Sequence, residues 1–405
     1  MTERAGAIVL GVETQIGLAL VRELGRAGVP VVAISSNERA LGLVSRHVRR
    51  AVVAGPPRSE RWVEAINQAA AQLGRASLIT VSEANLSWVN GVRAQLSPAV
   101  HPAMPPQAIL QQVLDKSRTL AAARAVGIDT PRTAEPRSWD DWQAMAASFP
   151  LPAVLKWSDP NGVAPRLAAQ GLELHKAEFV LDRDAMRAAG ERYRALGEWP
   201  MVQEYCAGHG LGQFFFLRDG QVLRRFQHER VAEWPPEGGF SAVCDSVPLE
   251  RHAALQEQSI ALLRALNWDG VAMVEYRHDP ATGRSVLMEI NGRFWGSLPL
   301  AVACGAGFGL HAHAAALGEA APALPAPRAG VRCRMVAVEA RRLVRVLLRP
   351  QLIRDPLFVR RPWQDLARFA LDFLRPGVCY FVASWADPRP LLRDLHNMLP
   401  RRKGA

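Results

Sequence analysis

No stretch of the sequence approaches the roughly 18 uninterrupted apolar residues that a bilayer-spanning helix needs, so no transmembrane helix is expected. The start, Met1-Thr2-Glu3-Arg4, leads straight into an apolar run and carries no recognisable signal cleavage site. That argues against secretion and for the cytoplasm. Cysteine is sparse: Cys206, Cys244, Cys304, Cys333 and Cys379 are odd in number, widely scattered and form no Cys-x-x-Cys pair. A disulfide framework and a structural zinc site are thereby disfavoured, and buried thiols in a reducing compartment are expected. There is no internal repeat. No Ser/His/Asp or Cys/His arrangement suggests covalent catalysis.

What is present is a chain of 405 residues, 49% hydrophobic, long enough for several domains and a sizeable core. Its net charge of +11 is unevenly placed: from Arg328 to the end there are 17 Lys plus Arg against 6 Asp plus Glu, and the rest is neutral. The basicity belongs to the tail. No nucleic-acid motif accompanies it, so nucleic acid is not an expected partner. In that tail Arg341, Arg345 and Arg349 recur at helical spacing beside Leu343, Val344, Val346, Leu347 and Leu348, and Leu366 to Leu374 is a second apolar stretch. Two readings stay open: a helix packed on the main body with a solvated arginine face, or a peripheral contact with the inner face of an anionic membrane.

Along the chain, Ala7–Leu10, the glycines Gly11 and Gly17, a helical pattern through Leu24, and the apolar run Val29–Ile34 open a doubly wound α/β unit. Glu60–Leu73 reads as a helix and Ser77–Val81 as a strand. The glycine spacing is not Gly-x-Gly-x-x-Gly, which weakens a nicotinamide-dependent reading; the glycines suit a tight strand-to-helix turn. His101 to Gln107 reads as a linker, followed by a helix that begins near Lys116 and stops at Gly127. Ala153–Lys156 and Met201–Tyr205 read as strands, and Asp219-Gly220 as a hairpin turn. Val231 to Phe240, with Trp234-Pro235-Pro236-Glu237-Gly238-Gly239, reads as a loop, with a lid as one use.

The residues that carry chemistry lie on the last hairpin, Gly270–His278 and Ser285–Asn291. With its midpoint at Thr282, Glu275 faces Glu289, and the two-residue alternation puts Asn291 on the same face. Like charges directly opposed on a sheet are destabilising, so a compensating cation is expected. Mg²⁺ suits two carboxylates and a neutral oxygen, and Arg293 can add a fixed fork for phosphate or carboxylate. The competing reading is a solvated hairpin face whose acids pair with Arg277 and Arg293.

The order Lys116, Lys156, Met201-Val202-Gln203-Glu204-Tyr205-Cys206, Glu275, then Glu289-Ile290-Asn291-Gly292-Arg293 resembles the ATP-grasp superfamily over roughly residues 115–318. Gly208-His209-Gly210-Leu211-Gly212 and the stretch His228–Ser241 resemble its predicted carboligase branch. The resemblance implies an α/β fold: a Rossmann-like pre-ATP-grasp domain over 1–112, an ATP-grasp domain over 113–320 with subdomains 113–200 and 201–320, and a basic, partly helical region over 328–405. It implies ATP with Mg²⁺ or Mn²⁺. Lys116 and Lys156 match phosphate contacts. Gln203, Glu204 and Cys206 match the adenine-facing strand, Gln203 by its side chain and the others by backbone groups. Glu275, Glu289 and Asn291 match metal ligands, and Arg293, with Lys156, matches the residues facing the transferred phosphoryl group.

Two departures are visible. His209 stands nearest to where an acidic ribose contact is expected, and Ser158–Gln170, where a glycine-rich flap is expected, holds only Gly162. The implied reaction joins a small-molecule carboxylate, through an acyl phosphate, to an amine or a similar nucleophile such as a thiol, with Arg230 and Ser241 as candidates for binding the acceptor. The alternative is an ATP-binding regulatory module without ligase turnover.

Overall fold

The computed structural model describes residues 5–158, 160–175 and 177–398. The first unit is a five-stranded parallel sheet. Strands β1 (Gly6–Leu10), β2 (Val31–Ser35), β3 (Val48–Val53), β4 (Ala76–Ile79) and β5 (Val100–Pro102) lie in the order β3-β2-β1-β4-β5. Helices α1 (Gln15–Arg26), α2 (Glu60–Leu73) and α3 (Glu83–Gly91) connect them. Every residue of β1 and β2 is buried, as central parallel strands require. Gly11 turns the chain with φ +82°, and the Thr14 hydroxyl caps α1 by accepting from the Gly17 N–H at 3.2 Å. The glycines therefore serve the turn, as the sequence suggests.

Helices α4 (Gln107–Leu114) and α5 (Lys116–Ala125) lead into a four-stranded sheet. It contains β6 (Thr133–Ala134), β7 (Ala153–Lys156), β8 (Glu178–Val180) and β9 (Met201–Glu204) in the order β6-β9-β7-β8. Helices α6 (Trp139–Ser148) and α8 (Arg183–Arg194) bury Trp142 and Met186 with Ala153, Leu155 and Val202 on one face. Helix α7 (Pro160–Ala169) occupies the stretch where a glycine-rich flap was expected; Asp159 lies outside the described residues. Because β9 is an inner strand, this sheet extends to Glu204, past the expected boundary at residue 200.

The third sheet has seven strands in the order β14-β13-β10-β11-β12-β15-β16. These are β10 (His209–Arg218), β11 (Gln221–Trp234), β12 (Phe240–Ser246), β13 (Gly270–His278), β14 (Ser285–Asn291), β15 (Arg332–Arg334) and β16 (Cys379–Tyr380). Asp219 and Gly220 form the β10–β11 turn with φ of +51° and +72°. Strand β11 runs on to Trp234, so only residues 235–239 of the expected loop are loop. Helix α9 (Ala253–Ala265) packs on one face over Leu211, Phe215, Tyr276 and Leu287. Helices α10 (Leu298–Ala303) and α11 (Phe308–Ala316) help to join the other face to the first sheet.

The basic region is part of this body rather than an appended tail. Besides β15 and β16 it forms α12 (Val336–Leu348), α13 (Pro362–Leu371) and α14 (Arg389–Met398). Asp387 accepts from Arg22 of the first unit at 2.9 Å, and Asp355 accepts from the Tyr205 hydroxyl at 3.0 Å. Among the described residues no helix is long and apolar enough to cross a membrane.

Candidate active site

One row of facing residues crosses the large sheet. In the observed register Glu289 lies opposite Glu275, Glu275 opposite Gly212, and Gly212 opposite His228. Directly opposed residues project to the same face, so the two carboxylates stand side by side. Asn291 joins them and donates through Nδ2 to Glu289 Oε1 at 3.1 Å. The expected pairing of 275 with 289 is the observed one. The register then slips at Met288, which turns Leu287 to the α9 core while Glu289 keeps to the site.

The cation facing Glu275 in the protein is Arg230, with Nη2 2.7 Å from Glu275 Oε2. Its Nη1 donates to the Gly239 carbonyl at 2.7 Å and lies 3.5 Å from Glu233 Oε1. Burial works against the guanidinium charge, but Glu275 and Glu233 outweigh it and raise the Arg230 pKa above its ordinary value. Arg277 in turn binds Glu233 at 3.0 Å rather than Glu275. The site is thus a buried series of alternating charges, Arg277, Glu233, Arg230 and Glu275, ending beside Glu289 and Asn291.

This series needs space on β10, and two glycines supply it. A Cβ on Gly210 would stand 2.4 Å from Arg230 Cδ, and one on Gly212 would stand 2.7 Å from His228 Nε2. The Gly-x-Gly alternation on β10 therefore opens a trough through which Arg230 crosses from β11 to β13. Strict alternation would put positions 230 and 233 on opposite faces. Two irregularities in the β11–β12 register bring Glu233 back to the Arg230 side. Ser241 is buried directly opposite Glu233, so both acceptor candidates lie against this charge series.

The four-stranded sheet contributes the other expected residues. Val154 faces Gln203 and Lys156 faces Met201, which places Lys156 and Gln203 on one face, away from the α6 and α8 core. Gln203 donates to the Thr133 hydroxyl at 3.2 Å. Glu204 binds Arg284 of the β13–β14 turn at 2.5 Å, and that hydrogen bond holds its carboxyl below the usual range. The Glu204 carbonyl accepts from the Cys206 thiol at 3.6 Å. Burial, then Glu204, push that thiol up to about 11, with Arg284, Lys156 and Arg277 acting in the opposite direction. Those cations therefore lie within electrostatic reach of Cys206, where the two sheets meet.

Three residues are placed less directly. Lys116 is exposed at the start of α5, which packs beside β14. Arg293 binds Glu83 of α3 at 3.0 Å and donates to the Phe294 carbonyl at 3.2 Å, so its guanidinium is held against the first unit. His209 sits on the opposite face of β10 from Gly210 and Gly212, 3.7 Å from Glu229 and edge-on to His278.

Among the described residues, no group of three or more His, Cys, Asp or Glu side chains forms a metal-holding cluster. The set Glu275, Glu289 and Asn291 is two carboxylates and an amide, hard oxygen donors that fit Mg²⁺ or Mn²⁺ when phosphate oxygens complete the shell. A buried polar deficit lies along the same row: both ring nitrogens of His228 and Nε of Arg230 lack hydrogen-bond partners. Burial holds His228 well below its ordinary value, so its imidazole is neutral.

Comparison with known proteins agrees with this geometry at the level of fold. The biotin carboxylase of Campylobacter jejuni, solved as a β-γ-ATP complex, aligns with a TM-score of 0.62 at 15% identity, covering 82% of this chain and 75% of that one. The biotin carboxylase domain of the Hydrogenobacter thermophilus 2-oxoglutarate carboxylase, solved with MgADP, ADP and bicarbonate, gives 0.58 at 14% identity, covering 78% and 70%. The L-amino acid ligase of Bacillus licheniformis gives 0.51 at 17% identity, covering 77% and 74%. The chain has the ATP-grasp fold. No protein-family model matches the sequence, and no curated protein matches it by sequence search.

Glu233, Arg277 and His228, along this charge series and row, and Glu83, against Arg293, are neighbours of the candidate residues that the sequence reading did not assign. Arg277 was accessible by alternation, being two residues from Glu275. Glu233 was hidden by the bulges, His228 by its pairing through Gly212, and Glu83 by its distance along the chain.

Proposed function

We propose that this protein binds ATP with a divalent cation and uses it to activate a small-molecule carboxylate, as an acyl phosphate, for attack by an amine. The observation that carries the reading is the direct opposition of Glu275 and Glu289, with Asn291 on the same face, inside an ATP-grasp fold. Glu275, Glu289 and Asn291 would hold Mg²⁺, which supplies charge neutralisation at the phosphates. Lys156 and Lys116 would contact the phosphates. Gln203 and the backbone of Glu204 and Cys206 would meet the base.

In the first step a carboxylate oxygen attacks the terminal phosphorus, the bond to the bridging oxygen breaks, and ADP leaves. Arg293 and Lys156 stabilise the charge that develops on the transferred group. In the second step the amine attacks the acyl carbon, phosphate leaves, and the amine loses a proton. Arg230, between Glu233 and Glu275 in the charge series, and Ser241, opposite Glu233, would orient the acceptor.

A second reading, an ATP-binding regulatory module without turnover, draws support from α7 standing where a glycine-rich flap was expected. A screen of carboxylate and amine pools for ADP release, with Glu289→Gln as the control, separates the two. Turnover stimulated by a particular pair supports the ligase. ATP binding with no stimulated ADP release from any pool favours the module.

A further inference from the structure

Helix α13 is built inside out. Asp365, Arg368 and Asp372 recur at helical spacing and face inward: Asp365 binds Arg342 at 2.8 Å and Arg368 at 2.5 Å, and Asp372 binds Arg332 at 2.9 Å. The opposite stripe is apolar and open. Trp363 is 76% exposed and Leu374, just past the helix end, is 80% exposed, with Leu366 and Leu371 also outside. An amphipathic helix on a protein that keeps only aqueous company buries its apolar stripe. Here the charged stripe is the buried one, so the apolar stripe is left for an external partner.

The C-terminal region as a whole repeats the pattern. Of 19 large hydrophobic side chains exposed among the described residues, 14 lie from Val344 onward, and Trp385 is fully exposed. Charge is sorted as sharply. Five of the six acids after Arg328, namely Glu339, Asp355, Asp365, Asp372 and Asp387, are buried. Arg361 and Arg375, which bracket the α13 stripe, are exposed, as are Arg341 and Arg349 on and just after α12. Beside α13, α12 offers an open cavity of about 310 Å³ lined by Arg341, Arg345, Arg349, Val344, Leu352 and Trp234, with Arg345 stacked on the Trp234 ring at 4.3 Å.

From this sorting we propose that the α12–α13 face docks on an anionic lipid bilayer. Trp363, Leu366 and Leu374 enter the headgroup–acyl boundary, and the arginines bind lipid phosphates, the Trp234 cavity seating one headgroup. Apolar side chains with interfacial tryptophan and an arginine-only charge pattern suit such a surface. A second copy of this chain is the poorer occupant, because two faces that expose arginines and bury their acids repel each other. The docking is independent of the reaction proposed above.

Co-sedimentation of the full-length protein with vesicles tests this, using phosphatidylcholine alone or mixed with phosphatidylglycerol, at low and high salt. Binding to the acidic vesicles, weakened by salt and absent on the neutral ones, is expected. The paired change Trp363→Ser with Leu374→Ser, and separately Arg361→Gln with Arg375→Gln, should each lower it at least about tenfold. Val53→Ser, an exposed apolar position in the first unit, should leave it unchanged. These side chains are exposed, so an unchanged thermal midpoint will confirm that the variants fold. Three results overturn the proposal: no binding by folded wild type to acidic vesicles, undiminished binding by the paired variants, or a dimer that the Trp363/Leu374 variant dissolves while neither protein binds vesicles.

Discussion

Arg230 reaches across a strand that it does not belong to and places its Nη2 2.7 Å from Glu275 Oε2. Both groups are largely removed from water, at 8% and 18% side-chain exposure, and Glu233 shares the guanidinium. Breaking such a buried arrangement by deleting one member leaves uncompensated charge. Arg230→Ala is expected to cost about 3–5 kcal/mol of stability, read as a lower urea midpoint. Gly210→Ala forces a Cβ into the Arg230 side chain and should cost about 1–3 kcal/mol. A Gly210→Ala protein as stable as wild type would mean that the trough is not needed for the crossing.

The Arg293–Glu83 pair lies nearer to solvent, with Glu83 45% exposed, and contributes little to folding. Glu83→Gln should therefore change stability by less than about 1 kcal/mol and leave turnover intact, since it frees the guanidinium. Arg293→Ala should keep the fold and lower ADP release about a hundredfold. Equal losses of activity in both variants would instead make the ion pair itself the functional unit.

Glu23 of α1 supplies a pH dependence. Its carboxylate accepts from the Gly309 N–H at 2.6 Å at the start of α11, yet burial pushes its pKa up to about 7 from 4.5. Between these values the folded chain holds a proton that the unfolded chain has lost. Stability from this group is present below the lower value and lost as pH rises through the window. The loss is roughly 3 kcal/mol, with the backbone N–H groups of Gly309, Leu310 and Gly307 already holding the shift down. Urea midpoints at the two ends of the window should differ in wild type and converge in Glu23→Gln. Parallel behaviour of the two proteins would remove Glu23 as the source.

How far the sequence carried depends on how local each feature is. The 275–289 facing pair was legible because both residues lie close together on one hairpin, although the bulge at Met288 rather than a symmetric turn sets their register. The Asp219-Gly220 turn and the opening β1–α1–β2 unit were legible for the same reason. Arg230–Glu233 was not, because two bulges change the phase between them. Strands β15 and β16 escaped because three and two residues, far apart in sequence, pair only through the finished sheet. Helix α13 read merely as an apolar stretch, since its buried stripe is charged and only the fold shows which stripe faces in. The flap became α7, and nothing in its single glycine announced a helix.

The most direct test of the central claim is a calorimetric titration of ATP into the full-length protein with Mg²⁺, repeated with the metal chelated and with Glu289→Gln. Saturable binding of MgATP by wild type is expected. Affinity should be at least about tenfold weaker when the metal is removed or when Glu289 is neutralised, a loss of roughly 1.4 kcal/mol or more. Undiminished ATP binding by a folded Glu289→Gln protein, or by wild type without any divalent cation, would contradict the assignment of the Glu275, Glu289 and Asn291 face as the metal–nucleotide site.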